Sequence, residues 1–136
     1  ILQGPNLILL GLKSSKKKSR LTLDKLNKQI RSFSKDSGIN IKTLQTHKQF
    51  QAINFLQRNR NWANGILFIP TSWARDSYTI LETINLIQLK TSVIYFDSDF
   101  SFGTSIKESI FFHDKIDSFT GSPIEACIRG MEFLVK

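Results

Sequence analysis

Along this chain, short apolar runs rich in β-branched and aromatic residues alternate with longer stretches whose apolar residues recur at spacings of three and four. The first pattern fits buried strands and the second amphipathic helices; their alternation is that of βαβ units around a parallel sheet. Ile1-Leu2-Gln3 reads as the end of a first strand. Leu23, Leu26, Ile30 and Phe33 mark one face of a helix over about 22–37, with Thr22 as N-cap, Asp24 in the first turn and Gly38 as the stop. Ile39, Ile41 and Leu44 give a short second strand, and Phe50, Ile53, Phe55 and Leu56 a second helix that ends in the polar stretch Arg58 to Asn61. The third strand is Gly65–Ile69, closed by Pro70. A third helix starts around Arg75-Asp76-Ser77 and carries Ile80, Leu81, Ile84, Ile87 and Leu89 directly into a fourth strand, Ser92–Phe96. Ile116–Gly121 is the fifth strand, weakened by Ser118 and Thr120. The last helix has the plainest start signal: Ser122 at the N-cap, Pro123 at N1 and Glu125 at N3, a capping box, followed by a stripe of Ile124, Cys127, Ile128, Met131 and Leu134. Five strands and four helices in this order, joined by right-handed crossovers, predict an α/β fold: a flavodoxin-like three-layer sandwich on a five-stranded parallel sheet, with residues 1–136 as one domain.

Composition narrows the picture. The 136 residues are 40% apolar and 22% charged, enough to bury a core and unlike a disordered tail. One cysteine, Cys127, excludes an intramolecular disulfide framework, and two distant histidines, His47 and His113, give no zinc-ligand spacing, so no metal is expected. The longest apolar runs fall far short of the ~20 residues that span a bilayer. A soluble, intracellular protein is expected, with nothing in the sequence to separate the cytoplasm from a plastid or other organelle stroma. Charge adds more. Lys and Arg number 19 against 11 Asp and Glu, a net +8, and the excess is uneven: residues 1–60 carry thirteen basic and two acidic side chains, the remainder six and nine. An anionic partner is expected on that ground.

The segment Gly4-Pro5-Asn6-Leu7-Ile8-Leu9-Leu10-Gly11 follows the first strand, at the carboxyl edge where open α/β sheets bind ligands. It stands in a chain with a Thr22-Leu23 helix start, Gln45 at the end of strand two, a strand-three run closing in Pro70, and Ser77 opening helix three. Together these resemble the type II 3-dehydroquinate dehydratases, over nearly the whole chain, with the first loop the closest in sequence. The resemblance implies a small flavodoxin-like subunit that assembles as trimers, usually four to a dodecamer, and a cofactor-free lyase that removes water from 3-dehydroquinate in the shikimate pathway. It also implies the site: a tyrosine on a lid as base, an asparagine-held water for the enolate, a histidine as acid, and arginines that organise the lid. Such an elimination needs base, oxyanion stabiliser and acid preorganised together.

Carried over position by position, little of that apparatus remains. Asn6 matches the first-loop asparagine. In the lid segment, 12–21, the arginine position falls on Lys13 and the tyrosine on Lys18, and the arginine-glutamate-proline motif has become Lys13-Ser14-Ser15. The strand-three asparagine falls on Ile69 and the following histidine on Arg75; the acid histidine falls on Asp97, or on Tyr95 with a shifted gap. The arginine pair falls on Phe102 and Ile106. The resemblance therefore implies a catalytically degenerate member, a structural or interaction subunit joined to a protein partner or to copies of itself.

Two rival readings accompany it. One is a working dehydratase in which Lys18 is the base, its pKa lowered by Lys16 and Lys17, and Asp97 the acid. The other is a module that contacts RNA or another polyanion through Lys13, Lys16, Lys17, Lys18 and Arg20, with Arg75 as a further anion contact. No aromatic platform or nucleic-acid motif accompanies that charge, so sequence-specific reading is not expected. Trp73 is expected to pack against a neighbouring subunit or its own loop, or else to stack on a ligand; of Phe100, Phe102, Phe111 and Phe112, part is expected in the core and the remainder in a protein interface. Ser72 and Ser77 near Asp76 lack a histidine and a nucleophile elbow, which excludes a hydrolase triad.

Overall fold

A computed structural model describes residues 1–15, 20–102 and 104–136. Its centre is a five-stranded, all-parallel sheet in the order β2-β1-β3-β4-β5, built from β1 (Leu2–Gln3), β2 (Leu44–Gln45), β3 (Gly65–Ile69), β4 (Lys90–Phe96) and β5 (Ile116–Gly121). The α/β class and the parallel sheet are as the sequence pattern predicts. Alternation along the strands sends side chains to opposite faces. Ile66, Phe68, Val93 and Tyr95 pack on one face with Ala52, Leu56, Ile80 and Ile84 from α3 (Gln49–Asn59) and α5 (Tyr78–Ile87). Leu67, Ile69, Ile94 and Phe96 pack on the other, with Leu26 and Ile30 of α2 (Leu23–Asp36) and Ala126, Cys127 and Met131 of α6 (Pro123–Leu134).

Several boundaries move, each for a local reason. The second strand is confined to Leu44–Gln45, because β1 offers only Leu2 and Gln3 as partners. Ile39 and Ile41 lie outside it, half-buried against the α2–α6 layer. The predicted third helix is two: α4 (Trp73–Asp76) ends at Ser77, whose ψ of 72° leaves the helical region before α5 begins. Gln88, at φ 63°, then caps α5, which puts Leu89 outside the helix. The fourth strand starts two residues early because Lys90 and Thr91 pair with Gly65 and Ile66 of β3, and within it the buried Thr91 and Ser92 hydroxyls find backbone partners, at Leu89 O (3.0 Å) and Gly130 O (2.9 Å). That last bond reaches α6 where it crosses the sheet, and only glycine fits there: a Cβ on Gly130 would lie 2.7 Å from Ile94 Cδ1 and 2.9 Å from Leu67 Cδ1. The inward residues of α6 are Pro123, Ala126, Cys127, Gly130 and Met131, so small residues take seats that the apolar stripe assigned to Ile124 and Ile128.

The two predicted N-caps differ. Thr22 caps α2 as expected, its Oγ1 accepting from Lys25 N at 3.2 Å. Ser122 makes no side-chain cap bond, so the capping box expected there is not formed. A capping box exists instead at Ser105 and Glu108, on a single turn of 3-10 helix. Among the described residues no helix is long and apolar enough to cross a membrane.

Candidate active site

The carboxyl ends of β1, β3 and β4 meet where ligands bind in open α/β sheets. Gly4 donates its N–H to Ile69 O at 2.8 Å, and a Cβ there would lie 2.4 Å from Pro70 O, so the two strand ends close on each other only through glycine. The first loop then turns at Asn6, whose φ of 65° is a left-handed conformation that asparagine tolerates better than most residues. The Asn6 side chain is exposed and makes no cap bond, while its carbonyl accepts from Leu9 N at 2.8 Å. Thr71 faces it from the end of β3, held at φ 50°, with Oγ1 2.7 Å from both Pro5 O and Pro70 O.

Beside Thr71 lies a crevice lined by Ile69, Thr71, Tyr95, Phe96, Phe102 and Thr104, with a volume of about 10 Å³. Ligand pockets run to roughly 300–1,000 Å³. A larger hollow, about 350 Å³, opens at the opposite edge of the sheet beside Ile39, Ile41, Trp62, Met131 and Leu134. Its lining includes Lys42, Asn40 and Asn64 but no histidine, cysteine or carboxylate, so it holds no acid–base pair. At the carboxyl edge several polar side chains are held by internal partners. Gln45 Nε2 donates to Gly4 O at 3.1 Å, Ser77 donates to Gln49 Oε1, and the Arg75 guanidinium meets Glu108 at 3.3 Å.

Asp97 is exposed just past β4, its N–H donating to Gly121 O at 3.0 Å. Tyr95 is buried, its hydroxyl 2.5 Å from Ser109 Oγ, and burial pushes its pKa up although the hydrogen bonds to Ser109 and Ser118 pull the other way. It holds its proton in the range where an acid catalyst would release it. Lys13 and Arg20 are exposed, Arg20 Nε donating to Gly11 O at 3.1 Å. Lys16, Lys17 and Lys18 lie outside the described residues. The two flanks of the lid segment are joined by Ser14, fully buried, whose Oγ bonds Leu10 O (2.9 Å), Leu21 O (2.8 Å) and Leu21 N (3.0 Å). Among the described residues no group of three His, Cys, Asp or Glu is placed to hold a metal.

The aromatic expectations need correcting. Trp73 is buried in α4, with its ring centroid 6.5 Å from that of Phe68, so it is core within this chain and not a ligand platform. Phe111 is wholly buried, edge-on to Phe68 at 5.1 Å, and cannot face a partner. Phe100 and Phe102 are half-buried against the α2–α6 core. Phe112 alone of the four stays open, at 56% exposure. Hydrophobic clusters near a sheet edge read alike in sequence whether they fold inward or out.

Sequence reasoning passed over Gln3. It is fully buried at the end of β1, donating from Nε2 to Asn27 Oδ1 at 2.7 Å, while its Oε1 has no partner. A single glutamine at a strand end carries no pattern that separates it from a surface residue. Thr71 went unremarked for the same reason, since its bond to Pro5 spans 66 residues.

The comparisons with known proteins fit this geometry. The family model for dehydroquinase class II matches residues 1–98. The chain belongs to the class II dehydroquinase family. Relatives named 3-dehydroquinate dehydratase include one from Sulfurimonas denitrificans, 25% identical over 95 residues, 70% of this chain and 59% of the relative. Another, from Dictyoglomus turgidum, is 29% identical over 74% of this chain and 72% of its own. The chain thus spans less than two thirds of the length of the Sulfurimonas relative. A type II dehydroquinase structure from Butyrivibrio crossotus superposes with a TM-score of 0.81 at 19% identity, covering 99% of this chain and 94% of the other. One from Propionibacterium acnes gives 0.76 at 13% identity. At those identities the superpositions speak for the fold alone, and they carry it through β5 and α6, beyond the residues the family model matches.

Proposed function

We propose that this class II dehydroquinase is catalytically degenerate and serves as a structural or interaction subunit of a larger assembly, with copies of itself or a protein partner. One observation carries the reading: the crevice at the carboxyl edge has a volume of about 10 Å³ and is lined by Ile69, Phe96 and Phe102. Dehydration of 3-dehydroquinate needs a base at the α-carbon, a donor for the enolate oxygen and an acid for the departing hydroxyl. Asn6 is the matching group that remains, its side chain exposed, while Gln45, Ser77 and Arg75 are engaged by partners within the chain. Purified protein given 3-dehydroquinate should show no growth of the conjugated enone's near-ultraviolet absorbance above the blank. Enzyme-like turnover that Asn6→Ala removes would overturn the reading.

A second reading draws on the relatives' shared name, 3-dehydroquinate dehydratase, and on Asn6. In it the chain is a cofactor-free hydro-lyase with Lys18 as base and Asp97 as acid. Lys18→Ala then abolishes turnover while the circular-dichroism spectrum is unchanged; turnover that survives the substitution rules this version out.

A further inference from the structure

The outer face of α2 carries a feature that the family fold does not require. Lys25, Lys28, Arg31 and Lys35 are all exposed, while Leu23, Leu26, Ile30 and Ser34 face the core. At 100° per residue the four cations fall within an arc of about 120°, and at 1.5 Å per residue they run along about 15 Å of helix axis. Between them and beside them stand Gln29 and Ser32, also exposed and polar. Asp24, in the first turn, lies within the same arc four residues before Lys28, and Asp36, the last residue, borders it, so the arc carries four cations and one carboxylate. Among the described residues none of the four cations makes an ion pair.

That arrangement is unfavourable for an isolated helix. Lys25 with Lys28, Lys28 with Arg31, and Arg31 with Lys35 are like charges at three- and four-residue spacings, which destabilise one another. Lys25 also sits near the helix N-terminus, where the macrodipole disfavours a cation. Neighbouring α6 shows the ordinary solution: Glu125 and Arg129 pair at 3.8 Å, with Glu132 beyond them. An extended polyanion laid along α2 would turn the repulsion into attraction.

We propose that this face of α2 binds the phosphodiester backbone of a nucleic-acid duplex, without reading sequence. A duplex presents one negative charge per roughly 1.7 Å of axis, so a 15 Å track meets several phosphates in any register. The face exposes no apolar side chain to enter a lipid surface, and no aromatic ring to stack unpaired bases as single-strand binders do. Gln29 and Ser32 add neutral donors of the kind that contact phosphate oxygens. The inference is independent of whether the carboxyl edge turns over substrate.

The test is fluorescence anisotropy with labelled 24-base-pair DNA and RNA duplexes at rising salt. Four phosphate contacts predict a log–log slope of about −3.6, and K28E/R31E should lower it to about −1.8 with at least about a tenfold loss of affinity. K28Q/R31Q, which avoids charge reversal, should weaken binding in the same direction. K107E/K115E changes net charge equally at exposed lysines elsewhere and should leave the slope unchanged. Binding to one duplex type or to both supports the proposal and names the nucleic acid. No duplex binding at low salt, an equal loss in K107E/K115E, or α2-dependent binding of poly-glutamate or phosphatidylserine vesicles in place of duplexes would overturn it.

Discussion

The body of the sheet and its carboxyl edge have kept different things. In the body, strand alternation, the Gly130 crossing and the two packed layers follow the family fold to a TM-score of 0.81. At the edge, the apolar Ile69, Phe96 and Phe102 line the crevice together with Thr71, Tyr95 and Thr104. Apolar side chains there do the work of the core beneath, excluding water and joining the layers. The lesson is that the backbone path of an α/β edge and the chemistry mounted on it are held by separate interactions. Gly4 fixes the path, because only a residue without Cβ lets β1 and β3 close; nothing in that closure demands an asparagine or a histidine nearby.

The comparison breaks hardest at Gly4. A Cβ 2.4 Å from a backbone oxygen has no flexible neighbour to displace, so Gly4→Ala should destabilise by about 3–5 kcal/mol, in the range of strained or overpacked sites. Urea unfolding measures it; a cost below about 1 kcal/mol would mean that the strand ends separate easily and the edge is not fixed by this contact. Next in size is Ile69→Asn, which places an amide at a position 1% exposed. Buried among apolar partners and lacking a hydrogen-bond partner, the amide should cost about 2–4 kcal/mol. If the substitution is neutral, the edge is a wet pocket and the distinction drawn above between core-like edge and catalytic edge fails.

Much of the body was legible because its signals are periodic. Two-residue alternation in Gly65–Ile69 and three-four spacing in Leu23 to Phe33 repeat within the element, so one misread residue does not hide the whole. The edge offers single residues. Thr71 bonds Pro5 across 66 positions, Gln3 meets Asn27 through a side-chain contact, and Phe111 reaches Phe68 from a loop; none of these has a repeat to announce it. The family resemblance located the edge and named which groups should stand there. It did not foretell that Trp73 and Phe111 would turn inward, because packing direction is decided by tertiary contacts that spacing does not encode.

Body and edge also differ in how they respond to pH. Cys127, buried between α6 and the sheet, has its thiol pushed from 9.0 up to about 12 by desolvation. Below pH 9 the thiol is protonated in both folded and unfolded chains and its contribution is complete. As pH rises from 9 toward 12 the unfolded chain ionises first, so stability falls by up to about 1.4 kcal/mol per pH unit. Tyr95, also raised by burial, adds to the fall above pH 10. Urea midpoints at pH 8, 9 and 10 should show the decline, and Cys127→Ala should flatten it. An undiminished slope in that variant would mean that Cys127 does not carry the titration.

The smallest effect separates two helix starts that read alike in sequence. Thr22 and Ser122 both precede a helix that packs on the same face of the sheet, and the Ser122-Pro123-Ile124-Glu125 run carries the stronger capping signature. Only Thr22 makes the bond, to Lys25 N at 3.2 Å, while the Ser122 side chain caps nothing. β5 leads straight into α6, so the chain direction is set before the cap is reached. Thr22→Ala should therefore cost about 1 kcal/mol, and Ser122→Ala less than about 0.5 kcal/mol, as for an unengaged surface residue. Equal losses would show that Ser122 engages its helix in solution after all, and that the start of α6 is held by its own sequence instead of by the strand that feeds it.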